Sequence, residues 1–227
     1  MLSRKTALLI FSRSIEEELR HKPFLAQKSL VNSLYKHTTD IAKQSGLDVI
    51  FYDESKQYGI NFGSRFSNAL ENIFDNGYQN IIAIGNDCPQ LQVEHILQAQ
   101  KSLLKNETII GGTYDGGFYL LGISKENFNK DTFLTFSWNK KTLYNEVIES
   151  ISSKSLNYKT LQKLRDIDFY SDLESLSLNT ISNNILRSCI TSITQKRIKI
   201  VLPKKLKDSL LSQQVTLNKG SPRAFSL

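Results

Sequence analysis

Cysteine is nearly absent from this chain, histidine is scarce, and no apolar run is long enough to cross a bilayer. The two cysteines among 227 residues, Cys88 and Cys189, lie far apart without metal-ligand spacing, which fits a reducing cytoplasm. His21, His37 and His95 are scattered, so a histidine-rich metal centre is not expected. Ala7 to Phe11, a compact apolar run, is only strand-sized. The N-terminus shows no apolar signal-peptide core and no small-residue cleavage site, so export is not expected. A phosphate loop ending in Gly-Lys-Ser/Thr is missing. So are a G-x-G-x-x-G behind a strand and a serine in a nucleophile elbow.

The composition that remains is ordinary: 40% hydrophobic and 22% charged residues. The length suits one α/β domain with a large core, or such a domain with an appendage. The net charge of +7 is unevenly spread. Lys196, Arg197, Lys199, Lys204, Lys205, Lys207, Lys219 and Arg223 gather at the end, with Asp208 nearly the only acid among them. A basic end can attract nucleic acid, anionic lipid or an anionic small substrate. Sparse aromatic interleaving favours a solvated surface, so neither nucleic acid nor membrane is the expected partner.

The periodicity predicts alternating strands and helices. Arg4–Ser12, Leu47–Tyr52 and Ile81–Ile84 read as buried parallel strands, and Ala26–Gln44, a helix carried from Asn61 and Gln92–Leu104 as the helices between and after them. Thr108–Gly111 and Phe118–Gly122 are short strands with no room for a crossover helix, which requires an antiparallel or edge strand. Asn139–Ile151 and Asp172–Ile193 read as helices, and Ile198–Leu202 as strand-like. The expected architecture is a mostly parallel α/β sheet with helices on both faces and a late antiparallel strand or hairpin. It occupies residues 1–195, and 196–227 form a basic appendage.

The chemistry concentrates at expected strand ends. Gly85-Asn86-Asp87-Cys88-Pro89 follows the strand Ile81-Ile82-Ala83-Ile84, where ligands of open α/β sheets bind. Asp87 there reads equally as a metal or phosphate-site ligand or as a helix cap. Cys88 reads as a small buried hydrophobe beside it. Asp115-Gly116-Gly117 suits a hairpin turn or a catalytic loop alike. Asp166, Asp168 and Asp172 follow later, with Asp172 read as a helix N-cap. Carboxylates converging at the open end of a sheet make a hard oxygen site suited to Mg²⁺ or Mn²⁺ bridging a diphosphate. Gly59 and Gly63 flank a helix start with Arg65 in its first turn, an arrangement open to phosphate or to nothing more than an amphipathic surface.

Phe62-Gly-Ser-Arg-Phe66, Gly85-Asn-Asp-Cys-Pro89, Asp115-Gly-Gly-Phe-Tyr-Leu-Leu-Gly122, Trp138 and Asp166-Ile-Asp168 together resemble the DUF2064 family. These are bacterial glycosyltransferase-like proteins related to the GT-A nucleotide-diphospho-sugar transferases. The resemblance spans about Lys5 to Leu176 and implies a metal held by Asp87 and Asp168, with Asp166 as a further candidate. It also implies Gly63 and Arg65 against the nucleotide or its phosphates, and Asp115, Gly116 and Gly117 lining an acceptor or sugar pocket. Asp115 is the candidate base. The expected partner is a nucleotide sugar and an unidentified acceptor. A nucleoside triphosphate in nucleotidyl transfer, or a non-catalytic nucleotide-binding module, is the alternative. Many family members follow the first strand with a Gly-containing loop ending in Lys-Thr-Arg. Here that place reads Ser12-Arg13-Ser14-Ile15-Glu16-Glu17-Glu18-Leu19-Arg20-His21-Lys22, so Arg13, Arg20 and Lys22 are the cations left to grip phosphate. The three glutamates would repel a triphosphate, which disfavours nucleotidyl transfer more than sugar transfer.

Overall fold

The computed structural model describes residues 5–23 and 28–201. Six strands form one sheet: β1 (Thr6–Phe11), β2 (Asp48–Tyr52), β3 (Asn80–Ile84), β4 (Thr108–Thr113), β5 (Phe118–Ser124) and β6 (Tyr158–Leu164). Their spatial order is β2-β1-β3-β5-β4-β6, and β5 alone runs against its neighbours. The expected mixed sheet, mostly parallel with one reversed strand, is the observed one.

The helices are α1 (Ile15–His21), α2 (Lys28–Gln44), α3 (Phe62–Asp75), α4 (Val93–Leu104), α5 (Lys130–Thr135), α6 (Leu143–Ser153), α7 (Tyr170–Ser175) and α8 (Asn184–Val201). Alternation along the central strands sends Leu9, Phe11, Ile81 and Ala83 to one face, under Phe66, Leu70 and Ile73 of α3 and Val147 of α6. Leu8, Ile10, Ile82 and Ile84 face the other way, under Ile41 of α2 and Ile96, Ala99 and Leu103 of α4. Both faces are therefore dry, as a parallel sheet requires.

Several expected elements shift. The segment after Ser12 is a helix rather than a loop: Ser14 accepts from Glu17 N at 3.3 Å and starts α1. Strand β6, a pairing partner of β4, had no counterpart in the sequence reading. The long helix from Asp172 is broken into α7, a 3₁₀ turn at Leu178–Thr180, and α8. Asp172 sits at the third helical position of α7, not at its N-cap, and its carboxylate accepts from Phe169 N at 2.7 Å and Asp168 N at 3.0 Å. Residues 198–201 continue α8 instead of forming a strand. A short β-branched run carries only a weak strand preference, and a helical phase already set by Leu186 and Ile190 overrides it.

The main compact unit ends at Ile190 and a second begins at Thr191, of which the helical residues to Val201 are described. The basic residues from Lys204 onward, expected in the appendage, lie outside the described residues, as does Arg4. Among the described residues no helix is long and apolar enough to cross a membrane.

Candidate functional site

Because β1 to β4 and β6 run one way and β5 the other, five connections converge at a single edge of the sheet. These follow β1, β2, β3 and β6, and the β4–β5 turn joins them. A pocket of about 510 Å³ opens there. It is lined by Arg13 and Glu18 from the first connection, Gln57 and Arg65 near the start of α3, and Gly85 to Asp87 after β3. Asp115 and Gly117 come from the β4–β5 turn, Trp138 to Lys141 precede α6, and Asp166 and Asp168 follow β6.

Arg20 and Lys22 do not line the pocket, and the other candidate residues meet there with two exceptions. Gly63 and Gly116 are not among the lining residues. Gly63 lies under Trp138: a Cβ there would stand 2.3 Å from the indole Cδ1. Gly116 has φ +99°, and a Cβ would lie 2.0 Å from the Lys141 carbonyl oxygen. Both shape the pocket wall by letting the segment around Trp138 approach closely. That segment is tied down by Trp138 Nε1 donating to Phe133 O at 2.7 Å and by Ser137 N donating to Glu146 Oε2 at 2.7 Å. Phe62 and Phe66 hold the indole at ring-centroid distances of 5.3 Å and 5.4 Å.

Asp87 is no helix cap, since α4 begins at Val93 with Gln92 as its N-cap. Its Oδ2 instead lies 3.1 Å from Lys22 Nζ, at the centre of a buried ionic knot. The same ammonium meets Glu18 Oε1 at 2.8 Å, Asp168 Oδ1 at 2.9 Å and the Ile167 carbonyl oxygen at 2.8 Å. Burial opposes the charged lysine. The carboxylates of Asp87, Glu18 and Asp168 outweigh it and hold Lys22 charged, above its ordinary range. Sequence reasoning named Lys22 only as one of several cations near a phosphate, because nothing in a sequence marks a lysine as buried.

The knot changes the status of the three glutamates. Glu17 pairs with Arg20 at 2.9 Å, and Glu18 with Lys22 and, at 3.5 Å, with Arg13. The expectation that all three repel an incoming phosphate does not hold, because two are already matched.

Around Lys22 the acids still exceed the cations. Asp115, Asp166 and Asp168 bring one carboxylate oxygen each within 4.8 Å of one another. Burial, then Asp87, Asp115 and Asp168, push the Asp166 carboxyl up to about 8. Asp168 is raised by burial against the opposing effect of Lys22. Asp115 is positioned by its own turn, Oδ1 accepting from Thr113 Oγ1 and, at 3.1 Å, from Gly117 N. Three clustered carboxylates with a proton retained near neutrality fit a divalent cation, which supplies the missing charge with hard oxygen donors. Cys88 is buried, and burial pushes its thiol up, so it is no nucleophile.

Arg65 also lines the pocket, half-buried and with no ion pair among the described residues. The pocket lining therefore combines clustered acids with Arg13, Arg65 and Trp138.

The fold is shared with known structures. A candidate nucleotide-diphospho-sugar transferase from Desulfovibrio desulfuricans G20 is similar at TM-score 0.69 and 22% identity, over 86% of this chain and 95% of that one. Rv0371c from Mycobacterium tuberculosis H37Rv is similar at TM-score 0.50 and 11% identity, over 81% of this chain and 100% of that one. No curated protein sequence matches the chain. A family model described as an uncharacterized protein conserved in bacteria (DUF2064) matches residues 34–140. Asp87 and Asp115 fall inside that range; Asp166 and Asp168 reach the site from beyond it. The match covers 107 of the chain's 227 residues and falls within the span over which its ordered motifs resemble that family.

Proposed function

We propose that the protein is a transferase that takes a nucleotide-activated sugar as donor, with Mg²⁺ or Mn²⁺ at the acidic side of the pocket. The observation that carries this reading is the Asp115–Asp166–Asp168 cluster, whose carboxylate oxygens lie within 4.8 Å at the carboxyl edge of the sheet. A bound cation supplies Lewis-acid neutralisation of the departing diphosphate. Arg13 and Arg65, both in the pocket lining, bind the phosphates, and the Gly117 N–H donates to Asp115 Oδ1 and fixes that side chain. Asp115 accepts the proton of the acceptor hydroxyl or orients that hydroxyl. Trp138 and Phe118 give the sugar or acceptor an apolar wall that excludes water. The fold likeness to a nucleotide-diphospho-sugar transferase candidate supports this reading.

Nucleotidyl transfer from a nucleoside triphosphate is the second reading. The observation in its favour is the pairing of Glu17 and Glu18, which removes most of the expected repulsion after β1. The test is thermal unfolding with nucleoside mono-, di- and triphosphates and nucleotide sugars, with and without Mn²⁺, followed by product analysis. A ligand that binds only the folded state raises the melting temperature. Selective Mn²⁺-dependent stabilisation by a nucleotide sugar, and release of nucleoside diphosphate, is the expected outcome. Pyrophosphate release establishes the second reading. Binding without turnover refutes both enzymatic readings and leaves a nucleotide-binding module.

A further inference from the structure

Lys22 does more than balance charge. Its side chain is 7% exposed and its three N–H groups are offered to four oxygens, on Glu18, Asp87, Asp168 and the Ile167 backbone. One ammonium thereby joins α1, the turn after β3 and the segment after β6. A second cation placed between Asp87 and Asp168 would sit beside that ammonium and be repelled by it. Asp168 has its Oδ1 on Lys22 and also belongs to the cluster with Asp115 and Asp166. Asp87 belongs to the knot but not to that cluster.

We propose that Lys22 is a built-in counter-cation that occupies the gap between Asp87 and Asp168, so that a divalent cation is held by Asp115, Asp166 and Asp168. Asp87 is then a positioning residue, acting through Lys22 and not as a metal ligand. This rests on the cation-dependent reading above and departs from the Asp87–Asp168 pair that the family resemblance implies.

Three consequences separate this from direct coordination by Asp87. Removing the Asp87 charge leaves the ligand set intact, whereas removing Asp166 or Asp168 does not. Removing the Lys22 charge strengthens cation binding, because the competing ammonium is gone. It also frees Asp87, which only then becomes able to bind the cation directly.

The experiment is Mn²⁺ binding to the whole protein, read by electron paramagnetic resonance without nucleotide, across Asp87→Asn, Asp166→Asn, Asp168→Asn, Lys22→Met and the Lys22→Met/Asp87→Asn pair. Expected are a loss of at most about threefold for Asp87→Asn and of at least about tenfold for Asp166→Asn and Asp168→Asn. Lys22→Met gains about tenfold, and Asp87→Asn then costs at least about tenfold in that background. Asp87→Asn as damaging as Asp166→Asn in the native background, or Lys22→Met weakening Mn²⁺, overturns the proposal. Should circular dichroism show Lys22→Met unfolded, the Asp87→Asn and Asp166→Asn comparison alone decides. Wild-type protein that binds no Mn²⁺ overturns the cation-dependent reading itself, an outcome distinct from a bound cation with the other ligand set.

Discussion

Replacing Gly63 with alanine tests how the pocket wall is built. The new methyl would lie 2.3 Å from Trp138 Cδ1 and 2.4 Å from Nε1, whereas carbon atoms in contact settle at about 3.5–4.0 Å. The indole has to retreat by about 1 Å or more. It is not free to do so, being boxed by Phe62, Phe66, Phe133 and Phe136 and bonded to Phe133 O at 2.7 Å. Overpacking costs about 1–3 kcal/mol, and loss of the indole hydrogen bond about 1 kcal/mol more. Alanine returns about 1 kcal/mol through its helix propensity. The net loss is about 1–3 kcal/mol, a fall in melting temperature of roughly 2–10 °C for a domain of this size. Thermal unfolding followed by circular dichroism measures it. Trp138 is the chain's single tryptophan, so its emission reports the displacement without a label. A variant that melts within about 1 °C of wild type with unchanged emission would show that Gly63 does not set the indole's position.

Further outcomes follow from other contacts. Asn61 Oδ1 accepts from Ser64 N at 2.8 Å while Ser64 Oγ accepts from Asn61 N at 3.1 Å, so Asn61→Ala should cost about 1 kcal/mol in urea unfolding and Asn61→Gly only a few tenths. Gly116→Ala meets backbone at φ +99°, not a side chain, and should lower the melting temperature more than Gly63→Ala; an equal or smaller effect refutes the close approach. In the metal-free protein the Asp166 carboxyl titrates at about 8, above its unfolded value near 3.9. Between about pH 4 and 8 the unfolded chain therefore binds fewer protons, so stability falls as pH rises through that window and levels above it. Asp166→Asn should remove this penalty and gain on the order of 2 kcal/mol at pH 8 after allowance for solvent screening, but little at pH 4. A pH-independent difference between the two proteins refutes it. Bound Mn²⁺ must displace the same proton, so its apparent affinity should rise about tenfold per pH unit from pH 6 to 8, measured by titration at constant ionic strength.

The buried strands were legible because β1 and β3 are continuous apolar runs, and the reversed strand because too few residues separate β4 from β5 for a crossover. Asn61 announced α3 by its cap. Strand β6 stayed hidden: Tyr158–Leu164 is mostly exposed at the sheet edge, so it carries neither an apolar run nor a buried face. The start of α1 was written in Ser14 followed by three glutamates. A family loop expected at that place obscured a plain helix signal. That the aspartates near strand ends come together was legible from position, since Asp87, Asp115, Asp166 and Asp168 all line the pocket. The role of Lys22 was not, because it depends on three segments meeting in space.

The arm that delivers Asp166 and Asp168 hangs from that edge strand. Tyr158 to Lys163 contribute little to either core, and the arm is held mainly by polar contacts: the Lys22 ammonium on Asp168 and on the Ile167 carbonyl, the Ile167 N–H donating to Asp87 O at 3.0 Å, and the bond from Arg165 N to Gln90 Oε1 at 2.9 Å. Local opening draws on such thinly buried segments first. Amide hydrogens of β6 and residues 165–168 should therefore exchange well before those of β1 and β3. Opening of this arm would take two of the pocket's five carboxylates, Asp166 and Asp168, away from Lys22 while β1 and β3 stay folded.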